Sequence, residues 1–321
     1  MGRALLAGAL LLLGAVGVVI TALALAAFDD DGSVQPPTEH FLVVGARIAA
    51  AGDIACDPAS RPYNGGLGSG LECRQLATSD RLVGAGYEAV LALGDTQYEE
   101  GTRDAFELSY GASWGRVKSI TRPVPGNHEY RTADAAGYFR YFGAAAGDPR
   151  KGYYSYELGD WHVVALNSNC SNAGGCRAGS PQERWLRADL AAHPARCTLA
   201  YWHHPRYSSG QHGSDPRFIA FWQALFDASA DLVLVGHDHD YERFAPQNAM
   251  GELDLTRGIR EIVVGTGGRS MRAFKDARPN SEVRDATSLG ILELTLGATA
   301  YKWRFRSAVG WFADAGSARC H

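Results

Sequence analysis

The segment that decides the fold is AVLALGDTQY, residues 89–98, in which five apolar residues are followed at once by Gly94-Asp95 and, three positions later, by Tyr98. Continuous apolar residues, rather than apolar residues alternating with polar ones, are typical of a strand that is covered on both faces. A Gly-Asp pair after such a run is most often an ordinary turn when it stands alone. Its significance therefore depends on whether the arrangement recurs along the chain.

The arrangement does recur. Further apolar runs predict strands at residues 47–51 (RIAAA), 198–202 (TLAYW), 232–235 (LVLV) and 262–264 (IVV). The turns after the first three of these runs, and the turn after Pro125, carry polar side chains that can bind a cation. These side chains are Asp53, Asn127, His128, His203, His204, His237 and His239.

The type and position of these side chains indicate a metal site. In open α/β folds, ligands bind at the carboxyl ends of the strands, so loops that are far apart in sequence can converge. Carboxylate, amide, phenol and imidazole donors without a thiolate favour Fe, Zn or Mn. His237 and His239 are two residues apart, so in an extended segment their side chains point to the same side. Each turn alone has an ordinary structural explanation, but five of them are better explained by one shared site.

The remaining elements complete an α/β pattern. Hairpins are predicted at 153–166 and 291–305, where paired apolar stretches flank short glycine-containing turns. Ser180-Pro181 and Asp215-Pro216 each predict the start of a helix, because a capping residue followed by proline is an N-terminal signal. No internal repeat or change of composition follows residue 38, so we expect one α/β domain built on two sheets.

Composition excludes several classes of protein. The chain has 321 residues, of which 46% are hydrophobic, and 31 basic against 35 acidic residues give a net charge of −4. These values do not fit a disordered, collagen-like or coiled-coil protein. The chain has no block of lysine and arginine, which argues against a dedicated nucleic-acid-binding surface.

The N-terminal sequence predicts export. Residues 4–28 are uncharged and almost wholly apolar, with Arg3 before them and three aspartates after them. The stretch is long enough to span a bilayer, and it also ends in Ala-Leu-Ala sequences that resemble cleavage sites. It therefore predicts either a signal peptide or a membrane anchor within residues 1–28. Both place the rest of the chain outside the cytoplasm, with 29–37 as a linker and 38–321 as the folded domain.

The cysteines agree with export. Six cysteines follow the apolar stretch, and in an exported protein they suggest three disulfides, for which 15 pairings are possible. A cysteine metal site is the alternative, but the paired CxxC spacing of such sites is missing. Proximity in sequence favours the pairs Cys56–Cys73 and Cys170–Cys176, which leaves Cys197 with Cys320.

Five motifs follow one another along the chain: Asp53-x-Ala55, Gly94-Asp95-x-x-Tyr98, Gly126-Asn127-His128-Glu129, His203-x-Pro205 and Gly236-His237-x-His239-x-Tyr241-Glu242-Arg243. This ordered set resembles the calcineurin-like metallophosphoesterases and, within them, the purple acid phosphatases. Tyr98 stands at the position that marks the purple branch. The resemblance covers residues 48–243, and it implies a four-layer α/β/β/α sandwich that takes in the whole of 38–321.

The resemblance also implies two metal ions, Fe(III) together with Zn, Fe or Mn, and it implies their ligands. One ion would be held by Asp53, Tyr98 and His239. The other would be held by Asn127, His203 and His237, and Asp95 would bridge the two. His203 is preferred to His204 because the ligand of the family stands two residues before the proline.

Two departures from the family pattern limit what can be transferred. Ala55 replaces a glycine, a small change that should not remove a ligand. Only 52 residues precede Asp53, so we expect the N-terminal sandwich domain of the plant enzymes to be absent. Acidic pH optimum and substrate range are therefore not carried over.

The expected function is that of an exported dinuclear metal-dependent phosphoesterase. Its substrates would be small phosphate esters, and attack by a metal-bound hydroxide would hydrolyse phosphomonoesters. His128 would contact the phosphate, and His212, in the loop 208–215, would protonate the leaving group. Arg243 is expected either to approach the phosphate or to form an ion pair behind the site.

Two alternatives remain open at this stage. A phosphodiesterase or nucleotidase would use the same metal core and would differ only in its loops. A non-catalytic exported metal-binding protein is the alternative from a different class. Four histidines outside the motifs are expected on the surface or in packing contacts, and these are His40, His162, His193 and His321.

Overall fold

The computed structural model describes residues 42–321, and the candidate signal or anchor, the linker and residues 38–41 lie outside that range. The strands are β1 (Gly45–Ala51), β2 (Ala89–Leu93), β3 (Thr121–Val124), β4 (Tyr154–Leu158), β5 (Trp161–Ala165), β6 (Cys197–Tyr201), β7 (Leu232–Val235), β8 (Tyr241–Phe244), β9 (Arg260–Val264), β10 (Ser281–Asp285), β11 (Leu289–Gly297), β12 (Ala300–Val309) and β13 (Ala315–Arg319). The α-helices are α1 (Gln75–Ser79), α2 (Arg103–Ala105), α3 (Ala136–Phe142), α4 (Pro181–Ala192) and α5 (Ile219–Asp227). Among the residues described, no helix is both long enough and apolar enough to cross a bilayer.

The strands form two mixed sheets. The first has the order β13-β12-β11-β1-β2-β3, and the second has the order β10-β8-β9-β7-β6-β5-β4. Strands β1, β2 and β3 run parallel to one another, as do β5, β6, β7 and β9. Parallel neighbours end at the same edge of their sheet, so the loops after these strands are brought together. The predicted α/β/β/α fold class is confirmed.

Strand β7 shows why the strand sequences are continuously apolar. Leu232 and Leu234 belong to the core that contains residues of both sheets. Val233 and Val235 point the other way and pack in a second core with side chains of α4 and α5. Since successive residues of a strand alternate between its two faces, a strand covered by a sheet on one side and helices on the other requires apolar residues throughout.

The observed bounds lie close to the predicted ones. Strands β2 and β7 match the apolar runs residue for residue, whereas β6 begins and ends one residue before the predicted 198–202. Ser180 caps α4 by accepting a hydrogen bond from the Glu183 N–H. The second predicted helix begins differently, because Asp215 caps a short 3-10 turn at Pro216–Phe218 and α5 follows it.

All six cysteines form disulfides, and the pairs are the ones favoured by proximity in sequence. Cys56–Cys73 and Cys170–Cys176 close short loops. Cys197, the first residue of β6 in the second sheet, is bonded to Cys320, which follows β13 in the first sheet. The third disulfide therefore links the two sheets covalently.

Replacing Cys197 and Cys320 together by serine is expected to lower the free energy of unfolding more than replacing Cys170 and Cys176. The sequence separations are 123 and 6 residues. The chain-entropy description then assigns these disulfides about 5 and about 2 kcal/mol, respectively. Denaturant unfolding of the two double variants measures the difference, and equal losses would contradict the expectation.

Candidate metal centre

The structure brings together the seven side chains that the motifs predict as metal ligands. Each of them follows the carboxyl end of a strand, and five of the seven are buried, with Asn127 and His237 partly exposed. The first sheet supplies four of the side chains and the second sheet supplies three. They are Asp53, Asp95, Tyr98 and Asn127 from the first sheet, and His203, His237 and His239 from the second.

One group of donors surrounds the phenol of Tyr98. Its hydroxyl oxygen lies 2.8 Å from Oδ1 of Asp53 and 3.1 Å from Nε2 of His239. It also lies 3.1 Å from Oδ2 of Asp95. The phenol, a carboxylate and an imidazole therefore converge on one point.

A second group surrounds Nε2 of His203. This nitrogen lies 3.2 Å from Oδ1 of Asn127 and 3.2 Å from Nδ1 of His237. It lies 3.4 Å from Oδ2 of Asp95, the same oxygen that contacts the first group. A carboxylate placed between two groups of donors has the position that a bridging ligand requires.

The electrostatics of these donors fit a cationic occupant. Burial raises the pKa of Asp53 to about 7. Burial and the neighbouring Asp53 raise the pKa of Tyr98 well above its usual value. Burial opposes the ionisation of Asp95 too, but the adjacent His203 and His128 together outweigh it and hold the pKa of Asp95 well below normal. Buried acidic oxygens that lie this close together are stabilised by a cation, and oxygen and imidazole donors suit Fe, Zn or Mn.

Backbone hydrogen bonds join the two sheets at this edge. The N–H of Gly52, after β1, donates to the carbonyl of Val264, the last residue of β9, across 2.8 Å. The N–H of Gly267 donates to the carbonyl of Gly52 across 2.8 Å. The N–H of His237 donates to Oδ2 of Asp53 at 2.8 Å. These bonds, called the inter-sheet seam below, hold the ligand loops of the two sheets face to face.

The glycines of the motifs are required by close packing at the centre. A Cβ on Gly94 would lie 2.7 Å from the ring of His203, and a Cβ on Gly126 would lie 2.2 Å from Oδ1 of Asp95. The predicted ligands Asp53 and Asp95 themselves have φ of 58° and 45°. A non-glycine residue in the left-handed region costs about 1 kcal/mol or more, and such strain is common at functional sites.

Glu129 is a positioning residue that is not among the predicted site residues. It is fully buried, and its carboxylate accepts hydrogen bonds from the backbone N–H groups of Asp95, Thr96, Gln97 and Gly126 at 2.6 to 3.2 Å. Burial, reinforced by the nearby Asp95, raises its pKa to about 7. Glu129 thereby ties the ligand loop after β2 to the ligand loop after β3. In the sequence, the position of Glu129 in the Gly-Asn-His-Glu motif is the feature that could have indicated this role.

His128 lies at the Tyr98 side of the centre. Its Nδ1 is 2.7 Å from the carbonyl oxygen of Glu99, which can only accept, so Nδ1 carries the ring proton. Its Nε2 is 3.8 Å from Oδ2 of Asp95. Burial lowers the pKa of His128. The nitrogen that carries no proton in the neutral ring therefore faces the donors.

His212 lies at the opposite side, beside His237, with ring centroids 4.2 Å apart. Its Nε2 is 2.9 Å from Nη1 of Arg272. Because a guanidinium can only donate, Nε2 accepts and the proton of the neutral ring is on Nδ1. The backbone N–H of Arg272 donates to the carbonyl of His239 at 2.9 Å, so Arg272 is fixed next to the centre. Arg272 was missed, because no motif surrounds it.

His204 and Arg243 are not members of the two groups of donors around Asp95. His204 Nδ1 lies 2.8 Å from the hydroxyl of Ser168, although a nitrogen of its ring also lies within 4.8 Å of nitrogens of His203 and His237. Burial lowers the pKa of His204 to about 3. Arg243 binds Asp314 at 2.8 Å and also contacts Glu282, so of its two expected positions it takes the ion pair behind the site.

Comparisons with known proteins agree with this geometry. The family model for calcineurin-like phosphoesterases matches residues 46–241. Purple acid phosphatase 21 of Arabidopsis thaliana is 28% identical over 281 residues, which cover 80% of this chain and 58% of the relative. An uncharacterised protein of Mycobacterium tuberculosis is 31% identical over 186 residues, which cover 46% of this chain and 35% of the relative.

A solved structure has the same fold. Purple acid phosphatase PPD1 from yellow lupin seeds superposes with a TM-score of 0.68 at 19% identity, covering 86% of this chain and 54% of its own. This chain spans between about a third and somewhat more than half of the length of the relatives described. From the matched family model, the ordered motifs and the shared fold, this chain belongs to the calcineurin-like phosphoesterase family and resembles its purple acid phosphatase branch.

Proposed function

We propose that this protein is an exported, dinuclear metal-dependent phosphatase that hydrolyses phosphomonoesters. The observation that carries the proposal is the position of Asp95, whose Oδ2 lies 3.1 Å from the Tyr98 hydroxyl and 3.4 Å from His203 Nε2. One carboxylate oxygen shared by two complete groups of donors suits a pair of metal ions. Relatives named purple acid phosphatase 21, from Arabidopsis thaliana, and acid phosphatase type 7, from Homo sapiens, support the reaction class.

The two groups of donors would each hold one ion. Asp53, Tyr98 and His239 would hold Fe(III), for which a phenolate is a suitable ligand, and Asn127, His203 and His237 would hold Zn, Fe or Mn. Such a pair of ions binds a phosphate group and lowers the pKa of a bound water so that it becomes a nucleophile near neutral pH. The chain's own contribution is to fix the ions, orient the ester and manage protons.

Three side chains beside the ligands would perform that work. His128 presents Nε2 towards the centre from one side, where, once this nitrogen is protonated, it would donate to a phosphate oxygen. Arg272 supplies a fixed positive charge on the other side, where a dianionic monoester gains more than a monoanionic diester. His212 would protonate the leaving group from Nδ1 only as the imidazolium, so its Nε2 must first take up a proton and give up the hydrogen bond from Arg272.

The proposal of export rests on the disulfides and on the N-terminal sequence. All six cysteines are paired, and stable disulfides are typical of oxidising compartments. The apolar residues 4–28 would supply the signal or the anchor.

Asp95→Asn is expected to remove both metal ions and to lower monoester turnover by at least about 100-fold, because even a partner that only supports a ligand is worth 10 to 100-fold. Metal content and phosphate release from a monoester and a diester would be measured together. Asp160→Asn, in the exposed turn between β4 and β5, is the matched control. Normal metal content and rate in Asp95→Asn would refute the bridge, and wild-type turnover of diesters alone would refute the monoester proposal.

Glu129→Gln is expected to weaken metal binding about 10 to 100-fold while every ligand stays in place. An amide has one acceptor oxygen, so some of the four backbone N–H groups lose their partner, at a cost of about 1–3 kcal/mol each. Metal titration and denaturant unfolding test this expectation. Glu107→Gln, an exposed glutamate paired with Arg103, should change neither quantity. Unchanged metal affinity in Glu129→Gln would contradict the positioning role.

His212→Ala is expected to slow esters with poor leaving groups, such as alkyl phosphates, by about 100-fold or more, and to affect nitrophenyl phosphate little. The reason is that only a poor leaving group needs a proton as its bond to phosphorus breaks. Arg272→Gln should instead slow both substrates alike, since it removes charge rather than a proton donor. Equal slowing of the two substrates by His212→Ala would show that His212 is not the acid.

A further inference from the structure

A second cluster of potential metal ligands lies at the other end of the second sheet. His162 is the second residue of β5, near the edge where the parallel strands β5 and β6 begin. The ligands of the candidate metal centre follow the opposite ends of these strands. Asp189 lies in the last turn of α4, and His193 is the residue that caps this helix. Residues 189 and 193 are four apart, so they lie on the same face of the helix, towards His162.

The donor atoms of this cluster are close enough to share one ion. Nε2 of His162 lies 2.9 Å from Oδ2 of Asp189. Nδ1 of His193 lies 3.5 Å from Oδ1 of Asp189. Ligand atoms of all three residues lie within 4.8 Å of one another. The side chain of His162 is 1% exposed and that of His193 is 49% exposed, so the cluster has a fixed inner ligand and an outer ligand whose ring has room to turn.

Neighbouring groups orient these ligands in the way that metal sites require. Nδ1 of His162 lies 2.7 Å from Oε1 of Glu157, on β4. A histidine that binds a metal through one nitrogen usually donates the N–H of the other to a carboxylate, and Glu157 has that position. The hydroxyl of Ser155 donates to Oδ1 of Asp189 at 2.7 Å, which leaves Oδ2 towards His162. Ligands and supporting partners therefore come from β4, β5 and α4.

An ion pair alone explains part of this arrangement. A protonated His162 between Glu157 and Asp189 would satisfy all three buried or half-buried groups. Such a pair leaves out His193, whose Nδ1 lies 3.0 Å from the backbone carbonyl oxygen of Asp189 and whose ring lies nearly parallel to that of His162, with centroids 5.1 Å apart and an interplanar angle of 12°. A metal bound through Nδ1 would replace that hydrogen bond. In the absence of a metal, a proton on His162 takes the place that the ion would occupy.

We propose that His162, Asp189 and His193 form a third metal site, which binds Zn²⁺ and fastens the β4–β5 hairpin to helix α4. Two imidazoles and one carboxylate are a ligand set that Zn²⁺ accepts, with a water as the fourth ligand on the exposed side. The set contains too few oxygens for Ca²⁺ or Mg²⁺. Because the ion binds the folded chain, its effect is on stability rather than on turnover.

The test counts zinc in the full-length Asp95→Asn protein, with and without His193→Gln, after equilibrium dialysis against Zn²⁺. Any ions left at the candidate metal centre are the same in both proteins, so the comparison does not depend on the proposed phosphatase. We expect His193→Gln to bind one Zn²⁺ fewer per chain and to lose the rise in Tm that Zn²⁺ gives its parent. Equal zinc content and equal Tm shifts would overturn the proposal.

Two further variants separate a built site from loose binding to surface histidines. Glu157→Gln keeps all three ligands but removes the carboxylate behind His162, and it should weaken this zinc site by about 10 to 100-fold. His321→Gln is the matched control. His321 also lies beside a buried aspartate, with its Nδ1 3.3 Å from Oδ1 of Asp231. Among the described residues, however, His321 is not part of any group of potential metal ligands that contains a second histidine. Zinc affinity that is unchanged in Glu157→Gln, or reduced equally in His321→Gln, would also overturn the proposal.

Discussion

The inter-sheet seam is the contact on which the rest of the site depends. Each sheet carries only part of the donor set, so neither sheet alone could build either group around Asp95. The bonds from Gly52 to Val264 and from Gly267 to Gly52 bring the end of β1 beside the end of β9. His237 then reaches across to Asp53 through its own backbone N–H. The architecture of two packed sheets therefore positions the donors as well as forming the core.

Buried carboxylates organise the loops on both sides of the seam. Glu129 ties together the loops after β2 and β3 through backbone N–H groups, and Glu242 accepts from the N–H and hydroxyl of Ser209 in the loop after β6. Asp238, between two ligands, accepts from the N–H groups of His212 and Gly213. Loops that would otherwise be mobile are thus held by side chains that accept from their backbone. The acidic residues of this region therefore fix the geometry of the loops, in addition to the metal binding proposed for the donors.

The sequence allowed prediction of those features that repeat a local pattern. Asp53, Asp95 and His237 were found because each follows an apolar run, and the fold class followed from the same runs. Arg272 was not found, because its place beside His212 arises only from tertiary structure. Strand β10, Ser281–Asp285, was also missed, since an edge strand with alternating partly exposed and exposed residues carries no buried apolar pattern.

The disulfide between Cys197 and Cys320 lies at the start of β6, whereas the inter-sheet seam lies beyond the strand ends. The two sheets are thus fastened at opposite ends, covalently at one and by hydrogen bonds at the other. A disulfide near one end of the sheets limits how far the sheets can separate at the other end. The donors on the two sheets therefore stay close together, at a high effective concentration. Most of the entropy of bringing the seven donors together is therefore lost during folding, so the proposed binding of metal ions would not carry that cost.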